Sequence, residues 1–245
     1  MGEEVYKLKV GKRDISYKVE RTNRKTVGVI FDPEKGVIIR APEKVNKNKI
    51  QNIVKKKSNW ILKKIEEHEK IKGKPKKKEF VSGEKLSYLG RRYRIKSKEI
   101  KNSKKVKIKF YQGKFIIKTG DKLSKKEREQ KVREKLIEWY KEHGKNFIQK
   151  RVVKFNKKLG IKPNKIKIKK QQKRWGSCSK NKTLNFNWKL LMAPVSVIDY
   201  IIVHELCHLL YPNHSKKYWT HVSTLIPDYK EKQEWLRVNG NELEI

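Results

Sequence analysis

The chain has 245 residues, enough for one large domain or two modest ones, and its 36% hydrophobic content against 38% charged makes for a lean core. No apolar run approaches the ~18 residues that a membrane-spanning helix needs, and two cysteines, Cys178 and Cys207, exclude a disulfide framework. Lysine and arginine number 66 against 26 acidic residues, a net charge of +40 that ion pairing cannot neutralise.

Such a field attracts polyanions, so nucleic acid or nucleotide contact through the basic surface is one expectation. A lysine-, asparagine- and isoleucine-heavy composition inherited from an AT-rich genome is the other. The opening stretch MGEEVYKLKVGKRDISYKVE has no apolar segment of the secretory kind. Together with the cysteine count, this gives the expectation of a cytoplasmic chain with no membrane partner.

Residues 3–42 alternate with a period of two in EVYKLKV, DISYKVE, TVGVIFDP and GVIIRAP, with turn signals at Gly11-Lys12 and Asp32-Pro33-Glu34-Lys35-Gly36. The pattern predicts two hairpins or a small meander. From Asn46 to Lys70 the period becomes helical, carried by Ile50, Ile53, Val54, Trp60, Ile61 and Ile65. The basic, proline-containing KIKGKPKKKEF that follows reads as a solvated break and a first candidate boundary. Strands resume at KLSYLGRRYRIK, KKVKIKFY and KFIIKTG, the last two joined at Gln112-Gly113.

Ser124, with Glu127 three residues on, opens a long helix through a capping box, and Gly160 closes it. Its apolar stripe runs from Val132 through Leu136, Trp139, Tyr140, Phe147, Val152 and Phe155 to Leu159. NKIKIKK reads as a strand, and QQKRWGSCSKNKTLNFNW as a hairpin with Lys180-Asn181-Lys182 at its tip. Pro194-Val195-Ser196 introduces a second apolar helix, and shorter helices follow at 215–225 and 228–238. No internal repeat is legible. The order predicts an α+β fold: a β-rich region over 1–120 with one helix, suited to substrate or polyanion binding, and a second domain over 121–245 that carries the chemistry.

That chemistry resides in VHELCHLLYPNHSKKYW. Histidines four apart on a helix share one face, so His204 and His208 aim at one point. Glu205 stands beside them, placed to take a proton from a metal-bound water; this is H-E-x-x-H. Tyr211-Pro212-Asn213 must end the helix, and His214 arrives just after the bend. The spacing His-x3-His-x5-His is that of the metzincin motif without its glycine, a place where Asn213 can adopt left-handed dihedrals. Three imidazoles leave a fourth position open for water, as a catalytic zinc site requires and a structural one does not. Glu231 or Glu234 is the rival third ligand.

An ordinary amphipathic helix with surface histidines is the bland alternative; four of only six histidines within 204–221 argue against it. Cys207 reads as a small buried apolar residue. His221 fits a helix surface, and His68 and His143 belong elsewhere.

RWGSCS at 174–179, IDYIIVHELCHLLYPNHSKKYW at 198–219 and IPDY at 226–229 together resemble the YgjP-like family of zinc-dependent hydrolases, grouped with zincin metallopeptidases. Ala41-Pro42, Trp60-Ile61 and Leu89-Gly90-Arg91 extend the resemblance over nearly the whole chain; Cys207, where a small residue is usual, is a mild departure. The resemblance implies a zincin-like C-terminal core, a small sheet plus the HExxH helix. It implies one Zn2+ per chain on His204, His208 and His214, and Glu205 as base.

The RWGSCS strand is expected to border the active-site helix and to offer an edge to an extended peptide or protein substrate. Arg174 would hold an anionic group or an oxyanion, Ser177 would supply a hydrogen bond, and Tyr218 would donate to a tetrahedral intermediate. Trp175 and Gly176 read as packing against the helix, and Trp219 as core. Three imidazoles favour zinc over manganese or nickel. The rival functions are a nucleotide or phosphoanhydride hydrolase and a nucleic-acid-associated, SprT-like protease.

Overall fold

The structure, a computed structural model, describes residues 4–11, 13–32, 35–70, 73, 77–172 and 174–245. The turns expected at 11–12 and 32–36 and the basic break at 70–80 each include positions outside the described residues. The chain divides into two compact units, Met1–Lys72 and Gly73–Ile245.

In the first unit β1 (Glu4–Val10) and β2 (Arg13–Arg21) form one hairpin, and β3 (Gly28–Asp32) and β4 (Gly36–Ala41) another. A parallel pairing of β2 with β4 joins them in the order β1-β2-β4-β3. Alternation places Ile15, Tyr17 and Val19 of β2 on one face with Val37, Ile39 and Ala41 of β4. Helices α1 (Lys47–Lys56) and α2 (Ser58–Glu69) cover that face with Ile50, Val54 and Ile61. The Asn46 side chain caps α1 by accepting from the Lys49 N–H at 2.9 Å. What the sequence reads as one helix is therefore two, broken at Lys57 (φ −98°, ψ 4°).

The second unit repeats this topology although no repeat is legible in the residues. β5 (Lys85–Tyr88), β6 (Arg91–Ile100), β7 (Val106–Tyr111) and β8 (Lys114–Gly120) run in the order β5-β6-β8-β7, with β6 parallel to β8. Leu89-Gly90 (φ 49° and 79°) and Gln112-Gly113 (φ 46° and 69°) turn the two hairpins, both residues of each pair left-handed as a type I′ turn needs. The 35-residue helix α3 (Lys125–Leu159) packs on this sheet. It starts at the Ser124–Glu127 capping box and stops at left-handed Gly160. β9 (Lys165–Lys169), β10 (Gly176–Cys178) and β11 (Thr183–Asn187) form a sheet in the order β10-β11-β9, leaving β10 at one edge. A 3-10 turn over Trp188–Met192 leads to α4 (Val195–Cys207), followed by α5 (Lys216–Leu225) and α6 (Tyr229–Asn239). Among the described residues no helix is long and apolar enough to cross a membrane.

The division falls at 72/73, within the basic break read as a first candidate boundary and not at 120/121, because the second sheet and α4 share a core. Phe80, Leu86, Ile95, Phe115 and Ile117 are buried in one cluster with Trp139 and Tyr140 of α3 and Ile198 and Ile202 of α4. The Leu89-Gly90 turn also braces the approach to α4. Leu89 N–H donates to the Leu191 carbonyl at 2.7 Å, and a Cβ on Gly90 would meet Pro194 Cα at 2.7 Å.

α4 is apolar nearly all round, and its one buried acid outside the candidate site is Asp199. Arg151 of α3 grips Asp199 through two parallel hydrogen bonds, Nε to Oδ1 at 2.6 Å and Nη2 to Oδ2. Removing one partner of such a pair strands the other charge in a low-dielectric setting. Asp199→Ala is expected to lower stability by about 2–3 kcal/mol in urea unfolding, whereas a loss below about 0.5 kcal/mol would show the pair to be energetically idle.

Candidate metal centre

The α-helical hydrogen bonding of α4 ends at Cys207, so His204 and Glu205 lie in its last turn and His208 is the C-cap residue. That is four residues before Pro212, earlier than the proline alone dictates. Beyond it Leu210 and Tyr211 still bond back to the Cys207 carbonyl, and the chain bends at Pro212-Asn213 to bring His214 back. Asn213 does not take positive φ, so it does not replace a motif glycine as expected. The bend is made with Pro212 and ordinary dihedrals.

The three imidazoles converge. Ring centroids stand 5.0 Å (His204–His208), 5.1 Å (His204–His214) and 4.8 Å (His208–His214) apart, and one nitrogen of each lies within 4.8 Å of the others. His204 Nε2 and His214 Nε2 are 3.3 Å apart. Two nitrogens on one tetrahedral zinc, each about 2.0–2.1 Å from it, stand roughly 3.3–3.4 Å apart, so this pair fits such an ion. His208 Nδ1 lies 3.0 Å from the Tyr211 carbonyl oxygen, which places the proton on Nδ1 and leaves Nε2 as the lone-pair nitrogen. His204 Nδ1 has a longer contact, 3.5 Å, to the Tyr200 hydroxyl.

Burial, and then repulsion from His208 and His214, pushes His204 down to about 3; His208 is also lowered, chiefly by burial. These two rings are thereby kept neutral, the form that binds a metal. Glu231 and Glu234 sit on α6, beside Lys232 and Arg237 respectively, and do not join the cluster.

Glu205 is buried, 4% exposed, yet lines the same cavity as the three histidines, a space of about 700 Å³. Burial pushes its carboxyl up to about 8, and the Arg174 charge works against that rise. Facing it is β10. A Cβ on Gly176 would meet Glu205 Oε1 at 2.6 Å and Cγ at 2.7 Å, so only glycine admits this carboxylate. Gly176, read from sequence as packing, is the wall against which the acid rests.

Arg174 and Ser177 also line the cavity, with Arg174 exposed. The Ser177 hydroxyl oxygen accepts from Gln171 Nε2 at 3.1 Å and from Asn185 Nδ2 at 3.4 Å. Tyr218 differs from the sequence reading. It is fully buried, it does not line the cavity, and its hydroxyl donates to the His204 carbonyl at 3.0 Å, so it cannot also serve a substrate. Trp175 packs on Gly240, just past α6. Cys207 is buried, and Cys178 is half-buried in the cavity wall with its thiol pushed up by burial and by Glu205. His68, His143 and His221 are on α2, α3 and α5, outside the cluster.

The residues that sequence reasoning misses are Asn185 and Asn187, buried in β11. Asn187 Nδ2 donates to the Gln171 carbonyl at 2.9 Å and to the Arg174 carbonyl at 3.2 Å, pinning the loop that delivers Arg174. Two asparagines two apart, alternating with Leu184 and Phe186, are the signal: polar groups on one face of an otherwise buried strand must have partners.

A solved structure, the metallopeptidase zymogen of Pyrococcus abyssi abylysin, is similar over 38% of this chain and 92% of its own, at 22% identity and a TM-score of 0.34. No curated protein matches the sequence. The family model described as YgjP-like, metallopeptidase domain, matches residues 25–239. The chain belongs to the YgjP-like metallopeptidase-domain family.

Proposed function

We propose that the chain is a zinc-dependent peptidase of the zincin kind, in which His204, His208 and His214 hold one ion and Glu205 is the general base. The observation that carries this reading is the confrontation across one cavity of three convergent imidazoles, a buried carboxylate and the edge strand β10. A zinc ion held there supplies Lewis acidity to a water and to the substrate carbonyl. Glu205, facing the same cavity as the three imidazoles, takes the proton of the attacking water and returns it to the leaving amine nitrogen.

The outer edge of β10 offers backbone groups to an extended peptide, which would lie across the cavity as an added strand. Arg174 suits a carboxylate or developing oxyanion at the mouth, and Ser177 a hydrogen bond along the strand.

A phosphoanhydride substrate is the second reading, favoured by Arg174 and Lys180 in the cavity wall. It gives no role to the β10 edge. Nucleoside triphosphates assayed beside an unfolded protein separate the two: release of peptide fragments without phosphate supports the peptidase, and the reverse replaces it.

The purified protein is expected to carry one zinc per chain, and Glu205→Gln to keep that zinc while hydrolysis falls at least ~100-fold; undiminished turnover in the variant would remove Glu205 from the mechanism. Gly176→Ala is a subtler probe, since the added methyl must displace the Glu205 carboxylate. Zinc content should stay at the wild-type level while kcat drops by about 10-fold or more. An unchanged kcat would mean that the contact between Gly176 and Glu205 does not set the position of the base.

A further inference from the structure

Two of the three histidines are aimed by an ordered backbone: His204 lies in the last turn of α4, and His208, its C-cap residue, is fixed by the Tyr211 carbonyl. His214 has neither support. It is exposed, lies in a segment of no regular structure between α4 and α5, and among the described residues its only ring hydrogen-bond contact is the one to His204 Nε2. Histidine ligands ordinarily owe their orientation to a carboxylate, carbonyl or water on the second nitrogen. At His214 the support is aromatic. Its ring stacks on Trp219 at 5.4 Å and 20°, and Trp219 in turn stacks on Tyr229 at 5.0 Å and 19°. The edge of Tyr218 closes the side at 4.8 Å and 87°. Trp219 belongs to α5 and Tyr229 is the first residue of α6, so the stack ties a loop ligand to two helices.

We propose that Trp219, backed by Tyr229, is the positioning residue for the third metal ligand. It holds the His214 plane so that one ring nitrogen meets the other two imidazoles. This rests on the metal reading of the triad, but goes beyond it by assigning a function to a side chain whose sequence reading is core packing. Stacking fixes the plane of a ring without consuming either nitrogen, so the nitrogen remote from the triad stays available to solvent. The free energy of an offset stack is small, but the benefit is orientational: without it, the loop must order His214 at the moment of binding and metal affinity falls.

The test is a set of zinc dissociation constants from chelator competition on the full chain, read together with the visible spectrum of the cobalt-substituted protein. Trp219→Ala is expected to weaken zinc by about 10- to 100-fold and to reduce the intensity of the cobalt bands as the third imidazole disengages. Trp219→Phe, which keeps a stacking face, should restore affinity to within a few-fold of wild type, and Tyr229→Leu should fall between the two.

Because Trp219→Ala also removes packing, the decisive arm is a double-mutant cycle. In a His214→Ala background the further change Trp219→Ala should have no additional effect on zinc affinity. Additive losses, or unchanged affinity in Trp219→Ala alone, would overturn the proposal. If His214→Ala itself leaves zinc affinity untouched, the three-histidine centre fails and takes this inference with it. If His214→Ala weakens zinc and Trp219→Ala does not, only the inference fails.

Discussion

The candidate centre depends on how one helix ends. The His208 N–H does not complete the α-helical bond to the His204 carbonyl. That leaves the His204 carbonyl in need of a donor, and the buried Tyr218 hydroxyl supplies it at 3.0 Å. Leaving such a group unpaired in the interior costs about 1–3 kcal/mol, so the bond from α5 fixes the helix end from outside. The same Tyr218 ring lies 5.4, 4.7 and 4.8 Å from the rings of His204, His208 and His214. One side chain therefore terminates the helix and supports all three imidazoles. Burial raises its hydroxyl pKa, which keeps it a donor.

Around that point the structure resolves a conflict between burial and charge. α4 is apolar on almost every side, and it carries Glu205 into surroundings that disfavour ionisation. Two devices make the residue tolerable. A strand approaches so closely that only Gly176 fits beside the carboxylate, and Arg174, from the loop preceding that strand, lends a positive charge. The asparagines of β11 hold this loop and strand in place through their amides. The paired hairpins over 85–120 serve the centre indirectly, through the shared core with α3 and the Leu89-Gly90 turn against Pro194.

Local rules made much of this legible in the residues. The capping box at Ser124, the left-handed stop at Gly160, the Gln112-Gly113 turn and the hairpin tip around Lys182 are decided within a few residues of themselves, and each stands where the pattern puts it. The His-x3-His-x5-His spacing is local only in part: one helical turn brings His204 and His208 together, whereas His214, past the bend, is held by rings from α5 and α6. Features decided at long range were hidden. The parallel pairing of β2 with β4 and of β6 with β8 depends on neighbours that period-two alternation cannot specify. The unit boundary follows from which core the second sheet joins, so the change from strands to a long helix near residue 120 misplaces it. Tyr218 and Trp219 are adjacent in sequence, yet one turns inward to a carbonyl and the other stacks on a histidine, a distinction only tertiary packing makes. The net charge of +40 bears on solubility and encounter with anions and had no part in predicting the fold.

The claim beneath all of this is that three imidazole nitrogens share one divalent ion and leave a place beside Glu205 for water. X-ray absorption fine structure of the zinc-loaded protein measures it directly. The account requires three imidazole shells and one further oxygen at about 2.0–2.1 Å, with no sulfur scatterer. A sulfur shell at about 2.3 Å, which would enlist Cys178 or Cys207, or fewer than three imidazoles, would contradict it.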